Sequence, residues 1–208
     1  MSGTSVANKV NKAFTKVSSK LGFQSKILRP DGYTNPTQEK NLVKELMVSW
    51  SVDENFVKNP VDELDHYKVY ISNNEIQLGD IIVCEEQATT LIITEIQPIR
   101  TPAGILANER MTISRSMATP LLDKKTTLVE VALDVPCAVK IGKAAQGSVQ
   151  HTTMKTGTSV LEIWTWMPAQ DVLLADVIDV LGTRYLVNSV NSSTKGTKIT
   201  ATSMSTGK

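Results

Sequence analysis

Cysteine is nearly absent: Cys84 and Cys137 are the two in 208 residues. That is too few for a disulfide scaffold. Each lies in an apolar run, IIVCEE and VPCAVKI, as a small buried hydrophobe would. A reducing compartment fits this usage. Long apolar runs are missing too. No stretch approaches the roughly 20 residues that span a bilayer, and residues 1–22 hold no apolar secretory core. Aromatic residues make up 5% of the chain, which speaks against a surface that stacks nucleic-acid bases. Net charge is also small: 22 Lys+Arg against 21 Asp+Glu leave +1. This excludes a highly charged disordered chain and gives no whole-chain reason for a nucleic-acid binder. The 41% hydrophobic fraction suffices for a core. The length suits one large domain or two of about 100 residues.

Motifs that carry chemistry are missing as well. The chain has no G-x-S-x-G elbow, no G-x-x-x-x-G-K phosphate loop and no H-E-x-x-H pair. His66 and His151 lie far apart, and neither has a cysteine at ligand spacing. Asp62, Glu63 and Asp65 crowd next to His66 and read as a solvated loop rather than a metal site. Trp50, Trp164 and Trp166 read as core or interface anchors rather than sugar platforms. No catalytic residue, metal ligand or cofactor is assigned, and the chain reads as a non-enzyme.

What is present is an uneven charge distribution. The first 30 residues hold Lys9, Lys12, Lys16, Lys20, Lys26 and Arg29 and no acid. Residues 31–90 hold twelve acids against Lys40, Lys44, Lys58 and Lys68, a net of −8. No acid lies between Asp134 and Glu162 or after Asp179. Such asymmetry presents different faces to different partners.

Val6, Val10, Phe14, Val17 and Leu21 recur every three or four residues, the apolar stripe of an amphipathic helix. Thr4 or Ser5 can cap its start and Gly22 can end it. It contains no arginine, unlike a mitochondrial presequence. Beyond it, Pro30-Asp31-Gly32, Asn35-Pro36 and Asn59-Pro60 mark turns. The remainder is a series of short runs rich in Ile, Val and Thr, bounded by turn residues, which predicts strands. These are residues 42–52, 67–71, 76–84, 89–99, 109–116, 126–135, 159–166, 171–181, 183–190 and 197–204. TPAG (101–104) reads as a turn-rich connection, and Gly182 and Lys195-Gly196 as hairpin turns.

Residues 67–84 align without a gap to 163–180, an offset of 96. Tyr70 meets Trp166, Ile76 meets Val172, Asp80 meets Asp176 and Ile82 meets Ile178. Each copy continues with a strand and ends with a Thr-rich one, RMTISRSM and KITATSM. NLVKELMV (41–48) is a weaker match to TLVEVALD (127–134). Asp80 and Asp176 occupy equivalent turns after a small residue, Gly79 or Ala175, which assigns them a shared structural job rather than a catalytic pairing. The expected fold is mainly β: two tandem related antiparallel β-barrel or sandwich units behind an N-terminal amphipathic helix. The expected division is 1–24 for the helical arm, 25–117 for the first unit and 118–208 for the second.

The run Leu78-Gly79-Asp80-Ile81-Ile82-Val83, with strands at 91–96 and 111–115, resembles the turn-and-two-strand core of tailed-bacteriophage head–tail connector proteins, the neck, stopper or head-completion proteins. The second half repeats it as Ala175-Asp176-Val177-Ile178-Asp179-Val180, with alanine in place of the glycine. The resemblance implies a virion structural protein, assembled in the host cytoplasm as a homo-oligomeric ring of six or twelve copies. Such a ring surrounds the DNA channel and bridges portal or adaptor and tail proteins, without a membrane. It further implies that Val6, Val10, Phe14, Val17 and Leu21 dock the arm on an adjacent subunit or ring. Lys143, His151 and Lys155, in the acid-free loop 142–158, or the Thr101–Asn108 loop, are then channel-facing candidates for non-specific contact with packaged DNA. The alternatives are a tail terminator, tube or baseplate protein, a tandem-barrel nucleic-acid-binding module, and a β-rich hydrolase.

Overall fold

A computed structural model describes residues 3–53, 66–71, 75–118, 126–142, 160–193 and 196–204. It contains one α-helix, α1 (Gly3–Leu21), two single-turn 3-10 helices (Glu39–Asn41 and Ala169–Asp171) and twelve strands among these residues. The first six strands are β1 (Phe23–Leu28), β2 (Leu42–Val52), β3 (His66–Tyr70), β4 (Ile81–Cys84), β5 (Thr89–Glu95) and β6 (Ala103–Leu106). They close an antiparallel barrel in the order β1-β2-β3-β6-β5-β4. The next six are β7 (Glu109–Ala118), β8 (Thr126–Gly142), β9 (Val160–Thr165), β10 (Val177–Val180), β11 (Thr183–Ser193) and β12 (Gly196–Ser203). They close a second barrel in the order β7-β8-β9-β12-β11-β10. The fold is therefore mainly β, two six-stranded barrels in tandem behind one helix, as the sequence predicts.

The two barrels share one topology, strand for strand. The agreement reaches irregular positions. Register slips between Ile27 and Leu28 in β1 and between Ile113 and Ser114 in β7. It slips again between Ile93 and Glu95 in β5 and between Val187 and Ser189 in β11. Each slip bends its strand at the same point of its barrel. The inward residues agree as well: Ile27 and Ile113, Val69 and Ile163, and Ile82 and Ile178 are all 0–1% exposed. A closed barrel leaves no unpaired edge along its wall, and each interior is filled mainly by Ile, Val and Leu, joined in the second barrel by Met111, Met167, Tyr185 and the smaller Ala132, Cys137 and Ala201.

Three sequence expectations are corrected here. The boundary lies after Asn108, not at 117: one compact unit is Met1–Gly32 with Pro36–Asn108, and the other is Tyr33–Asn35 with Glu109–Lys208. The Thr-rich run at 109–116 thus opens the second barrel as the counterpart of β1. The Thr101–Asn108 segment is no loop, since Ala103–Leu106 is strand β6 between β3 and β5. It reads as a turn because Gly104 sits in it, yet the glycine is a strand residue packed closely on its neighbour, where the second barrel has Ala201. A Cβ would lie 3.0 Å from the Ile92 carbonyl oxygen.

The third correction concerns the repeat. Ile93 pairs Gly104 and Val187 pairs Ala201, each just before the shared slip. Gly104 then faces Tyr67, and Ala201 faces Leu161. Tyr70 is therefore the counterpart of Trp164, not of Trp166, and the offset in this strand is 94. Two extra residues before Asp176 restore 96 at the turn. Upstream, Ile27 pairs Lys44 and Ile113 pairs Ala132, so β2 and β8 match at 88 rather than 86 there, and at 89 beyond a further slip between Met111 and Ile113 that the first barrel lacks, where Phe23 pairs Val48 and Glu109 pairs Cys137. A slip of two residues keeps every side chain on its own face, so the apolar alternation could not reveal it.

Both cysteines are free and buried. Cys137 stands where the first barrel has Val48, and Cys84 where the second has Val180, so each fills a valine-sized space. Burial pushes the Cys137 thiol far up from its ordinary range, and the thiolate is the reactive form. Neither cysteine is expected to react with a thiol reagent such as Ellman's reagent until the chain is unfolded. One equivalent of fast labelling of the native protein would contradict this.

Candidate functional site

The turn before β4 and the turn before β10 are built alike from single side chains. Asp80 and Asp176 are each 1% exposed. Arg29, just past β1, forks onto Asp80 with Nε to Oδ1 and Nη2 to Oδ2, both at 2.8 Å. The Gln77 amide donates to the same Oδ2 at 2.7 Å. In the second barrel Arg115 of β7 makes the same fork to Asp176 at 2.9 Å on each arm. The Leu173 amide takes the place of Gln77, at 2.8 Å, and Arg115 Nη2 also donates to the Asp171 carbonyl oxygen at 2.9 Å. The main chain closes the unit: Ile93 donates to the Asp80 carbonyl and Val187 to the Asp176 carbonyl. The bidentate geometry is the strong form of an ion pair. It ties the end of β1 or β7 to the entry of β4 or β10, the pair that closes each barrel.

This geometry fits the shared structural job expected of Asp80 and Asp176. Each carboxylate is filled by its own arginine and an amide. The sequence reading missed the arginines. The signal was present: Lys26-Ile27-Leu28-Arg29 and Thr112-Ile113-Ser114-Arg115 are the same strand at an offset of 86.

The small residue before each aspartate also has a physical reason. Gly79 has φ 84° and Ala175 φ 67°, the left-handed region, which costs an L-residue about 1–2 kcal/mol. Ala175→Gly removes that strain at the expense of unfolded-state entropy of about 0.4–1 kcal/mol. The expected net is a gain of about 0.5 kcal/mol in urea unfolding; a loss of stability would contradict the strain assignment.

The N-terminal helix meets its own unit. Val10, Phe14 and Val17 are half-buried and Ser18 is buried. Phe14 lies edge-on to Tyr70 of β3, with centroids 6.3 Å apart. The Gly22 amide closes the helix on the Ser18 carbonyl at 2.8 Å. Val6 and Leu21 remain exposed, at 39% and 70%. The expected docking stripe is thus divided, with its middle lying on the protein's own barrel and its two ends open. The stripe docks in cis because β3 presents Tyr70 to Phe14, and just after the helix Phe23 packs on Trp50 of β2 with centroids 5.6 Å apart. A cleft of about 760 Å³ flanks the helix, lined by Val10, Phe14, Asp53, Lys68 and Arg100 among others. Its charges are matched at Lys68, whose Nζ lies 3.2 Å from Asp53.

The three tryptophans pack, as expected of anchors. Trp50 joins Phe23, Trp164 lies under Lys198 with the ammonium 4.7 Å from its centroid, and Trp166 packs on Tyr33 at 5.4 Å. Tyr33 and its partner were not foreseen. Its hydroxyl donates to Asp171, and Thr34 bridges Leu133 in parallel. Burial, and then the bond to Asp171, push the Tyr33 hydroxyl up to about 12.

Lys143, His151 and Lys155 lie outside the described residues, as do Asp62, Glu63 and Asp65. His66 lies in β3 and is 3% exposed. Among the described residues no group of three or more His, Cys, Asp or Glu is placed to hold a metal ion, and no helix is long and apolar enough to cross a membrane. No family model, curated protein or solved structure matches this chain.

Proposed function

We propose that this chain is a structural protein of a tailed-bacteriophage particle, one copy of a ring in the head–tail connector that bridges portal and tail around the DNA channel. The turn on which the resemblance rests carries this reading. In both barrels the small residue, the aspartate and the following strand act as one locked unit, with the arginine supplied by the first strand. A closed, arginine-locked barrel suits a scaffold, whose task is to hold surfaces rather than turn over substrate. Duplication gives each copy two such scaffolds and doubles the surface for neighbours.

The test is mass spectrometry of particles purified from cells that carry the gene, with negative-stain imaging of the purified protein. The reading expects the chain in the particles at six or twelve copies per portal ring, and rings in the images. Capsid-containing particles that lack the chain would overturn it.

A further inference from the structure

We propose that the outward face of α1 is a binding surface for the phosphate backbone of duplex DNA. Lys9, Lys12, Lys16 and Lys20 are all exposed. At 3.6 residues per turn they fall within an arc of about 80°, and at 1.5 Å per residue they form a line about 16 Å long. No acid lies in the helix. None of the described carboxylates forms an ion pair with these four lysines. Lysines on the barrels behave differently. Lys26 pairs with Glu85, Lys44 with Glu75, Lys68 with Asp53 and Lys198 with Glu162. The helix therefore carries a line of unmatched positive charge on a chain whose net charge is +1.

The rest of the same face decides what it can bind. Around the lysines it carries Ser5, Asn8, Ala13, Thr15 and Ser19, all exposed, and one apolar side chain, Val6, lies at its N-terminal edge. No large apolar anchor stands among them. Val10, Phe14 and Val17 lie between about a quarter and nearly half a turn from the middle of the lysine arc and are half-buried. An amphipathic helix binds a lipid surface by burying its apolar face, and here the middle of that face is already covered by the protein. The open ends, Val6 and Leu21, lie fifteen residues apart and form no continuous patch. A partner that reads charge alone remains, and a repeating phosphate backbone is such a partner. The choice of duplex DNA rests on the particle reading above; the charge line itself does not.

The test uses the full chain and a fluorescein-labelled 24-base-pair duplex, followed by anisotropy from 20 to 200 mM salt. Neutralising phosphates with lysines gives a log–log salt slope of about −0.9 per contact, so about −3.6 is expected for four lysines. Replacing all four lysines by glutamine is expected to weaken binding at least tenfold at low salt and to flatten the slope. The substituted side chains are exposed, and an unchanged thermal melt confirms the fold. Equal binding by wild type and variant overturns the proposal, as does no wild-type binding at 20 mM salt. Co-sedimentation with vesicles of 30% phosphatidylserine in phosphatidylcholine is the contrast. Vesicle binding tighter than duplex binding would overturn the DNA assignment in favour of a membrane surface. Anisotropy reads the helix of the isolated protein, whereas particle mass spectrometry reads membership of the virion, so the two readings fail separately.

Discussion

Replacing Arg115 by methionine is expected to lower the unfolding free energy of the second barrel by about 3 kcal/mol, since breaking a buried ion pair from one side costs about 3–5 kcal/mol. Asp176 would then be left charged inside the protein, keeping only the Leu173 amide. The lower end of the range applies because the Arg115 side chain is 26% exposed, and water can reach part of the gap. Urea unfolding followed by tryptophan fluorescence measures this, with Trp164 and Trp166 reporting on the second barrel. A second substitution separates the stranded charge from lost packing. Arg115→Met with Asp176→Asn keeps the side-chain oxygen for Leu173 and removes the charge. It is expected to recover more than half of the loss. If the double variant is as unstable as the single one, the arginine acts by packing and the ion-pair account fails. The same substitution at Arg29 is expected to cost less, because that side chain is 37% exposed.

Gly22→Ala is expected to lift the helix from its barrel. A Cβ at this position would lie 2.3 Å from the Ser18 carbonyl oxygen and 2.9 Å from the Val48 carbonyl oxygen. Both atoms are main chain, so neither can rotate away. Either the last turn of α1 or strand β2 must move. Overpacking strain of this kind costs about 1–3 kcal/mol, and the main-chain clash places it near the top of that range. Undocking the helix avoids the strain, at the loss of the contact between Phe14 and Tyr70. Limited trypsin digestion reads this directly. Lys9, Lys12, Lys16 and Lys20 are expected to be cut at least tenfold faster in the variant, while the barrels stay resistant. An unchanged cleavage rate with an unchanged melting temperature would show that the helix end tolerates the extra atom.

Much of the architecture was legible because its signals are local. The 3.6-residue spacing from Val6 to Leu21 defines a helix, and the structure has one over Gly3–Leu21. The strand expected at residues 42–52 is β2, with those same bounds. Gly182 lies in the turn from β10 to β11, where Leu181 and Gly182 both have positive φ, at 54° and 69°, the signature of a type I′ hairpin. The duplication was visible through Asp80 and Asp176 because a left-handed residue followed by an acid marks a turn that tolerates few alternatives. The register of β3 against β9 was not legible. A period of two is unchanged by a slip of two, so Val69 matches Thr165 as well by pattern as it matches Ile163. The boundary was misplaced because β6 has four residues, one of them glycine, and falls below what pattern alone resolves.

The sequence by itself determined the class of fold, the helical arm, the existence of two related units and the burial of both cysteines. Each follows from periodicity or from turn chemistry within a few residues. Only the tertiary structure decided which arginine holds each aspartate, because the partners lie 51 and 61 residues apart. It also decided that the middle of the helix's apolar stripe is spent on its own barrel. That choice depends on Tyr70, more than fifty residues away in the chain, and it leaves the lysine line as the face open to a partner.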